Sequence, residues 1–114
     1  MPPKKNPLKL NVLQLRTLAI LQYLAGLDGH RIAAGAPGLA GVANFPMPHG
    51  DHFHIGEFVV LRRNASGLAN EAVWRALERK GLAKSDYPLA IYLTEAGQAY
   101  DTGVRDKVLI GTTH

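Results

Sequence analysis

AVWRALERKGLAKSDYPLAIYLTEAGQAY, residues 72–100, changes its apolar period once, at Gly81, and that change decides the fold. Before it, Val73, Ala76 and Leu77 stand at i, i+3 and i+4, which predicts a helix over residues 70–80 with one apolar stripe. Glu71, Trp74, Arg75 and Glu78 then turn outward or to the flanks. Gly81 supplies the left-handed geometry of a helix C-cap, with Arg79 and Lys80 at the negative end of the helix dipole. After it, Leu89, Ile91 and Leu93 alternate with Ala90, Tyr92 and Thr94, the two-residue period of a half-buried strand. A polar turn at Ser85, Asp86, Tyr87 and Pro88 makes residues 82–94 a hairpin. Thr94 is a good N-cap, and Glu95 behind it suits the positive end of a further helix over residues 95–101.

Helix, hairpin, helix in this order resembles the second half of a winged helix-turn-helix domain of the MarR and PadR type. In that family a recognition helix ends in L-x-x-K-G-L and the wing ends in L-T-x-x-G. The matching residues are Leu77-Glu78-Arg79-Lys80-Gly81-Leu82 and Leu93-Thr94-Glu95-Ala96-Gly97, and the resemblance spans roughly residues 67–100. It implies an α+β fold, a winged helix-turn-helix with three or more helices and a short β-hairpin wing. It also implies a DNA-binding transcriptional regulator that works as a dimer, although one fold hosts many functions.

Composition bounds these readings. A chain of 114 residues, 46% hydrophobic, suits one compact domain with its own core and is too short for two. Its net charge of +4 fits nucleic acid or another acidic surface. With no cysteine, disulfides and thiolate metal sites are excluded, and a cytoplasmic location is expected. Gln14, Arg16, Gln22 and the glycines interrupt every apolar run before the roughly 18 residues of a membrane span, so no membrane association is expected.

Along the chain, Pro2, Pro3 and Pro7 with Lys4, Lys5 and Lys9 predict a flexible basic arm over residues 1–9, ahead of a single domain over 10–114. Asn11, with Gln14 three residues on, caps a first helix over residues 11–25. Leu10, Leu13, Leu18, Leu21, Leu24 and Ala25 form its apolar face. Residues 28–51 hold so many glycines and prolines that a Gly/Pro-rich ordered loop is predicted, with at most one turn at residues 39–43. Residues 57–64 are the first helix of the helix-turn-helix pair, a reading favoured over the strand that Phe58, Val59 and Val60 prefer. Ala65-Ser66-Gly67 is the turn.

His49, His52 and His54, with Asp51 among them, form a candidate metal cluster. On a strand, His52 and His54 project from one face and can share a divalent ion such as zinc, with His49 or Asp51 closing from the loop. The alternative is ordinary polar loop chemistry. No catalytic residues are expected: Ser66 and Ser85 sit in turns, no cysteine nucleophile exists, and paired carboxylates are missing. The chain is therefore not read as an enzyme.

Basic residues gather around the predicted reader helix. Arg62, Arg63, Arg75, Arg79 and Lys84 are the candidate phosphate contacts, and Asn70 and Arg75 the candidate base contacts. The wing turn at residues 84–87 would reach the neighbouring groove. Glu71 and Glu78 oppose this, since Glu71 can pair with Arg75 at i, i+4 and carboxylates repel phosphate. Trp74 suggests a protein interface instead. A DNA-binding regulator partnered by double-stranded DNA, a winged-helix interaction module without DNA, and a small metal-binding protein all follow from these residues.

Overall fold

In the computed structural model, which describes residues 6–111, Asn11 opens the first helix as its sequence predicts. The Gln14 amide donates to the Asn11 side chain at 2.8 Å, and the Asn11 amide donates to the Gln14 side chain at 3.0 Å. Two otherwise orphaned donors are thus satisfied reciprocally. Helix α1, Val12–Leu24, buries Leu18, Ile20, Leu21 and Leu24 completely, while Val12 faces outward. Thr17 is buried with them, and its hydroxyl donates to the Leu13 carbonyl at 2.8 Å.

Most of the predicted basic arm, residues 1–5, lies outside the described residues. Its remainder is tied down. The Tyr100 hydroxyl donates to the Asn6 side chain and accepts from the Leu8 amide, while the Asn6 amide group donates to the Leu10 carbonyl at 2.8 Å.

Residues 28–51 are ordered, but two strands replace the predicted irregular loop: β1, Arg31–Ile32, and β2, Ala40–Ala43. The turn expected at residues 39–43 is extended backbone. Its Ala-Gly-Val-Ala sequence has little strand propensity of its own. What holds it is pairing on both sides, with β1 and with a strand some fifty residues later.

Residues 57–64 do not form the predicted helix: residues 58–61 are a strand and only Arg62–Asn64 make a short 3-10 turn. Strands β3, His52–Ile55, and β4, Phe58–Leu61, pair antiparallel with Ile55 opposite Phe58, leaving a two-residue turn at Gly56 and Glu57. Gly56 has φ 58°, the left-handed value that the first position of a type II′ hairpin turn requires. The aromatic and β-branched residues on either side keep their strand preference. Two short 3-10 turns, Arg62–Asn64 and Ser66–Ala69, then lead to helix α2, Glu71–Arg79.

The predicted end of α2 is present in detail. The Gly81 amide donates to the Glu78 carbonyl and the Leu82 amide to the Leu77 carbonyl, both at 3.0 Å, with Gly81 at φ 76°. This double bond pattern satisfies two last-turn carbonyls. Strands β5, Ala83–Asp86, and β6, Ala90–Leu93, form the predicted hairpin, followed by helix α3, Glu95–Ala99, capped by the Thr94 hydroxyl. Leu89, assigned inward by the alternation, belongs to the turn and is exposed. A short helix α4, Arg105–Val108, and strand β7, Ile110–Gly111, complete the described chain.

The result is an α+β molecule with two antiparallel sheets, ordered β1-β2-β6-β5 and β3-β4-β7. One core joins them. Leu18, Ile20, Leu21 and Leu24 of α1 meet Val42, Ile91 and Leu93 from the first sheet, Phe53, Ile55 and Val60 from the second, and Trp74 and Leu77 of α2. The radius of gyration, 13.4 Å, equals about 13 Å expected of a compact chain of this length. No described helix is long and apolar enough to cross a membrane.

Candidate nucleic-acid interface

Helix α2 exposes one polar face because its apolar residues are used up inside. Val73, Trp74, Ala76 and Leu77 are buried, which leaves Glu71, Ala72, Arg75, Glu78 and Arg79 to solvent. Trp74 corrects the prediction that turned it outward or to the flank of the helix. It is wholly buried, its ring N–H donates to the Gly67 carbonyl at 3.2 Å, and its ring meets Tyr87 edge-on at 4.8 Å and Phe45 at 5.3 Å. A partner protein would find no tryptophan here to cover.

Asn70 sits at the helix start and is occupied by it: the Ala72 amide donates to its side-chain oxygen at 3.0 Å. That oxygen is a cap first, though Asn70 remains exposed. Arg75 is paired as its spacing predicts. Its Nε donates to a Glu71 oxygen at 3.1 Å, and its Nη2 lies 3.0 Å from the same oxygen in an ion pair. Glu78 has a different task, accepting from the Ser85 amide at 3.0 Å and so tying α2 to β5. Tyr87 makes a second tie, its hydroxyl donating to the Ala69 carbonyl at 2.9 Å.

The hairpin therefore lies along α2 instead of projecting freely. Residues 84–86 belong to β5, and the turn that follows carries Pro88 and the exposed Leu89. Between helix and hairpin runs an open groove of about 690 Å³, lined by Glu71, Arg75, Glu78, Arg79, Ser85, Asp86 and Tyr87. Its charges are mixed. Around it, Lys84 is exposed on β5, and Arg79 and Lys80 stand at the end of α2. Among the described residues, Arg62, Arg63, Arg79, Lys80 and Lys84 form no ion pair within 4.0 Å.

Arg62 and Arg63 lie on the 3-10 turn that leaves the β3-β4 hairpin, upstream of α2. Arg62 is held by its neighbours, its amide donating to the Asp51 carbonyl at 2.7 Å and its guanidinium to the Gly50 carbonyl at 3.2 Å. Arg63 is exposed. Lys80, which the sequence also places among the basic residues around this helix, carries the same kind of exposed charge.

The histidines come together as the strand geometry predicts. Phe53 and Ile55 point into the core, so His52 and His54 share the outer face of β3. Their Nε2 atoms are 3.2 Å apart. His49 is bridged to His52 through the backbone and its ring lies 5.8 Å from that of His54. Asp51 accepts from His52 Nδ1 at 3.2 Å, and this hydrogen bond holds the Asp51 carboxyl below its ordinary range. Among the described residues, no three His, Cys, Asp or Glu side chains are already set around one ion.

Compared with protein families, curated proteins and solved structures, the chain matches none. Its own geometry carries the functional argument.

Proposed function

We propose that the chain is a winged helix-turn-helix protein that binds double-stranded DNA and regulates transcription, acting as a dimer. The observation that carries this reading is topological. A first helix, a strand, a turn segment, a second helix with an exposed polar face and a hairpin occur in that order as α1, β2, the 3-10 turns, α2 and β5-β6, with β1 interposed before β2 and the β3-β4 hairpin after it. The early strand β2 pairs with the last strand β6, giving the order β2-β6-β5 beside α2. In a winged domain this arrangement presents the second helix to the major groove and the hairpin to the flanking backbone.

The size of α2 fits the task, since nine residues give about 13 Å of helix against a groove about 12 Å wide. Charge supports it in part: Arg62, Arg63, Arg79, Lys80 and Lys84 are available to neutralise phosphates, and Glu78 is committed to the hairpin backbone. The first helix of the usual pair is here reduced to two 3-10 turns, which shortens the segment that would brace α2 against the DNA backbone.

An anisotropy titration of the chain with labelled duplex fragments at two salt concentrations tests the proposal. Binding that weakens steeply with salt is expected. Absence of duplex binding at low salt, where electrostatic attraction is strongest, would leave the second reading: a protein-interaction module of the same architecture. The mixed charge of the groove, with Glu71, Glu78 and Asp86 facing Arg75 and Arg79, is the observation that favours it.

A further inference from the structure

His52 and His54 are separated by one residue on a strand whose other face is fixed in the core by Phe53 and Ile55. Neither ring can leave the outer face without unpacking β3. The distance between their Nε2 atoms, 3.2 Å, is close to the roughly 3.3 Å that separates two nitrogens bound at about 2.0–2.1 Å to one tetrahedral ion. His49 shares that face. It pairs through its backbone with His52, at 2.7 and 3.3 Å, which places the two side chains cross-strand from each other.

Hydrogen bonding favours ligation at His52. Its Nδ1 donates to Asp51, so in the neutral ring Nε2 carries the lone pair. A carboxylate behind a ligating imidazole fixes the ring and raises its basicity, the usual outer-shell partner of a metal-bound histidine. The two Nε2 atoms are within hydrogen-bond distance of each other, and an ion bound by both would displace the proton between them to the other nitrogen of its ring or to solvent.

We propose that the outer face of the β3 hairpin is a binding site for a divalent transition-metal ion. His52 Nε2 and His54 Nε2 are its first two ligands, and His49, brought in by side-chain rotation, is the third. The ring separations, 4.8 Å between His52 and His54 and 5.8 Å between His49 and His54, bracket the spacing of about 5 Å that imidazoles take around a tetrahedral ion. The rotation costs little packing because His49 and His54 are exposed. Three imidazoles and no thiolate select zinc, copper or nickel over magnesium and calcium, which require oxygen ligands. This site is separate from α2 and does not depend on DNA binding.

Calorimetric titration of the full chain with zinc chloride at neutral pH, and with magnesium chloride as the comparison, tests the site. One equivalent of zinc and no magnesium is the expected result, with a zinc-dependent rise in melting temperature by ligand linkage. The His52→Gln/His54→Gln variant should lose both the uptake and the rise, and its circular dichroism should be unchanged because both side chains lie outside the core. His49→Gln should weaken zinc at least tenfold. His30→Gln, whose ring bonds the Asn44 carbonyl elsewhere, should leave zinc affinity as it is. Equal zinc affinity in the double variant, or no uptake by the unaltered chain, overturns the site; unchanged affinity in His49→Gln overturns the assignment of the third ligand.

Discussion

Trp74 joins segments that lie far apart in the chain, touching Phe45 after β2, the Gly67 carbonyl in the second 3-10 turn and Tyr87 in the hairpin turn. Removing its ring would open a cavity beneath α2, and Trp74→Ala should lose about 3–5 kcal/mol in a urea unfolding experiment. Trp74→Phe is the sharper test, since it keeps an aromatic ring but leaves the Gly67 carbonyl without its donor, a cost of about 1–3 kcal/mol on its own. A loss below about 0.5 kcal/mol would mean that this indole hydrogen bond contributes nothing. Gly97 is constrained from the opposite direction. A Cβ there would run into the backbone carbonyl of Leu82, which cannot swing aside as a side chain can. Gly97→Ala should therefore destabilise by about 1–3 kcal/mol, the usual range for overpacking, although alanine is the better helix former.

Elements with local signals were legible in the sequence, and those held by distant partners were not. The capping box of α1, the C-cap at Gly81 and the Thr94 cap of α3 each depend on residues within a few positions. Strand β2 depends on β6, fifty residues on, and its own Ala-Gly-Val-Ala gives almost nothing to read. The β3-β4 hairpin did carry a local mark, Gly56-Glu57 between apolar strand formers. The expectation of a helix before the turn, taken from the resemblance, overrode it. Trp74 was misplaced because a narrow stripe of Val73, Ala76 and Leu77 sufficed for one buried face. Contacts from Phe45 and Tyr87 widen that face, and neither is local. The histidine geometry was legible, since period two on a strand fixes it.

The coupling of α2 to the hairpin is an element-scale property with its own test. One hydrogen bond joins α2 to the hairpin directly, from the Ser85 amide to Glu78, and a second ties the hairpin to the 3-10 turn before α2, from the Tyr87 hydroxyl to the Ala69 carbonyl. Glu78→Ala should speed hydrogen exchange at the Ser85 amide by tenfold or more while leaving Leu93, paired within the sheet, protected. Glu78→Gln retains an acceptor oxygen and should restore most of the protection. If Ser85 exchanges at one rate in all three chains, the Glu78 carboxylate does not hold the hairpin.

At the scale of the whole molecule, the strength of DNA binding depends on how charges are divided between those that pair internally and those that do not. The net charge is +4, and Arg62, Arg63, Arg79, Lys80 and Lys84 form no ion pair among the described residues. If all five touch phosphates, log K should fall with log salt at a slope of about −4.5, at about 0.9 per contact. Arg62→Ala with Arg63→Ala should reduce that slope by about 1.8 and weaken all sequences alike. Arg75 differs, because Glu71 already holds its Nε and Nη2. Glu71→Ala removes a carboxylate from the exposed face of α2 and releases a guanidinium there. It should raise duplex affinity severalfold at low salt, even though losing an acidic residue from the first turn costs the helix about 0.3–1 kcal/mol. A protein whose α2 enters the major groove must gain from this change. If Glu71→Ala leaves duplex affinity unchanged while Arg62→Ala/Arg63→Ala lowers it, α2 does not face the DNA, and the contact surface lies at the 3-10 turn instead.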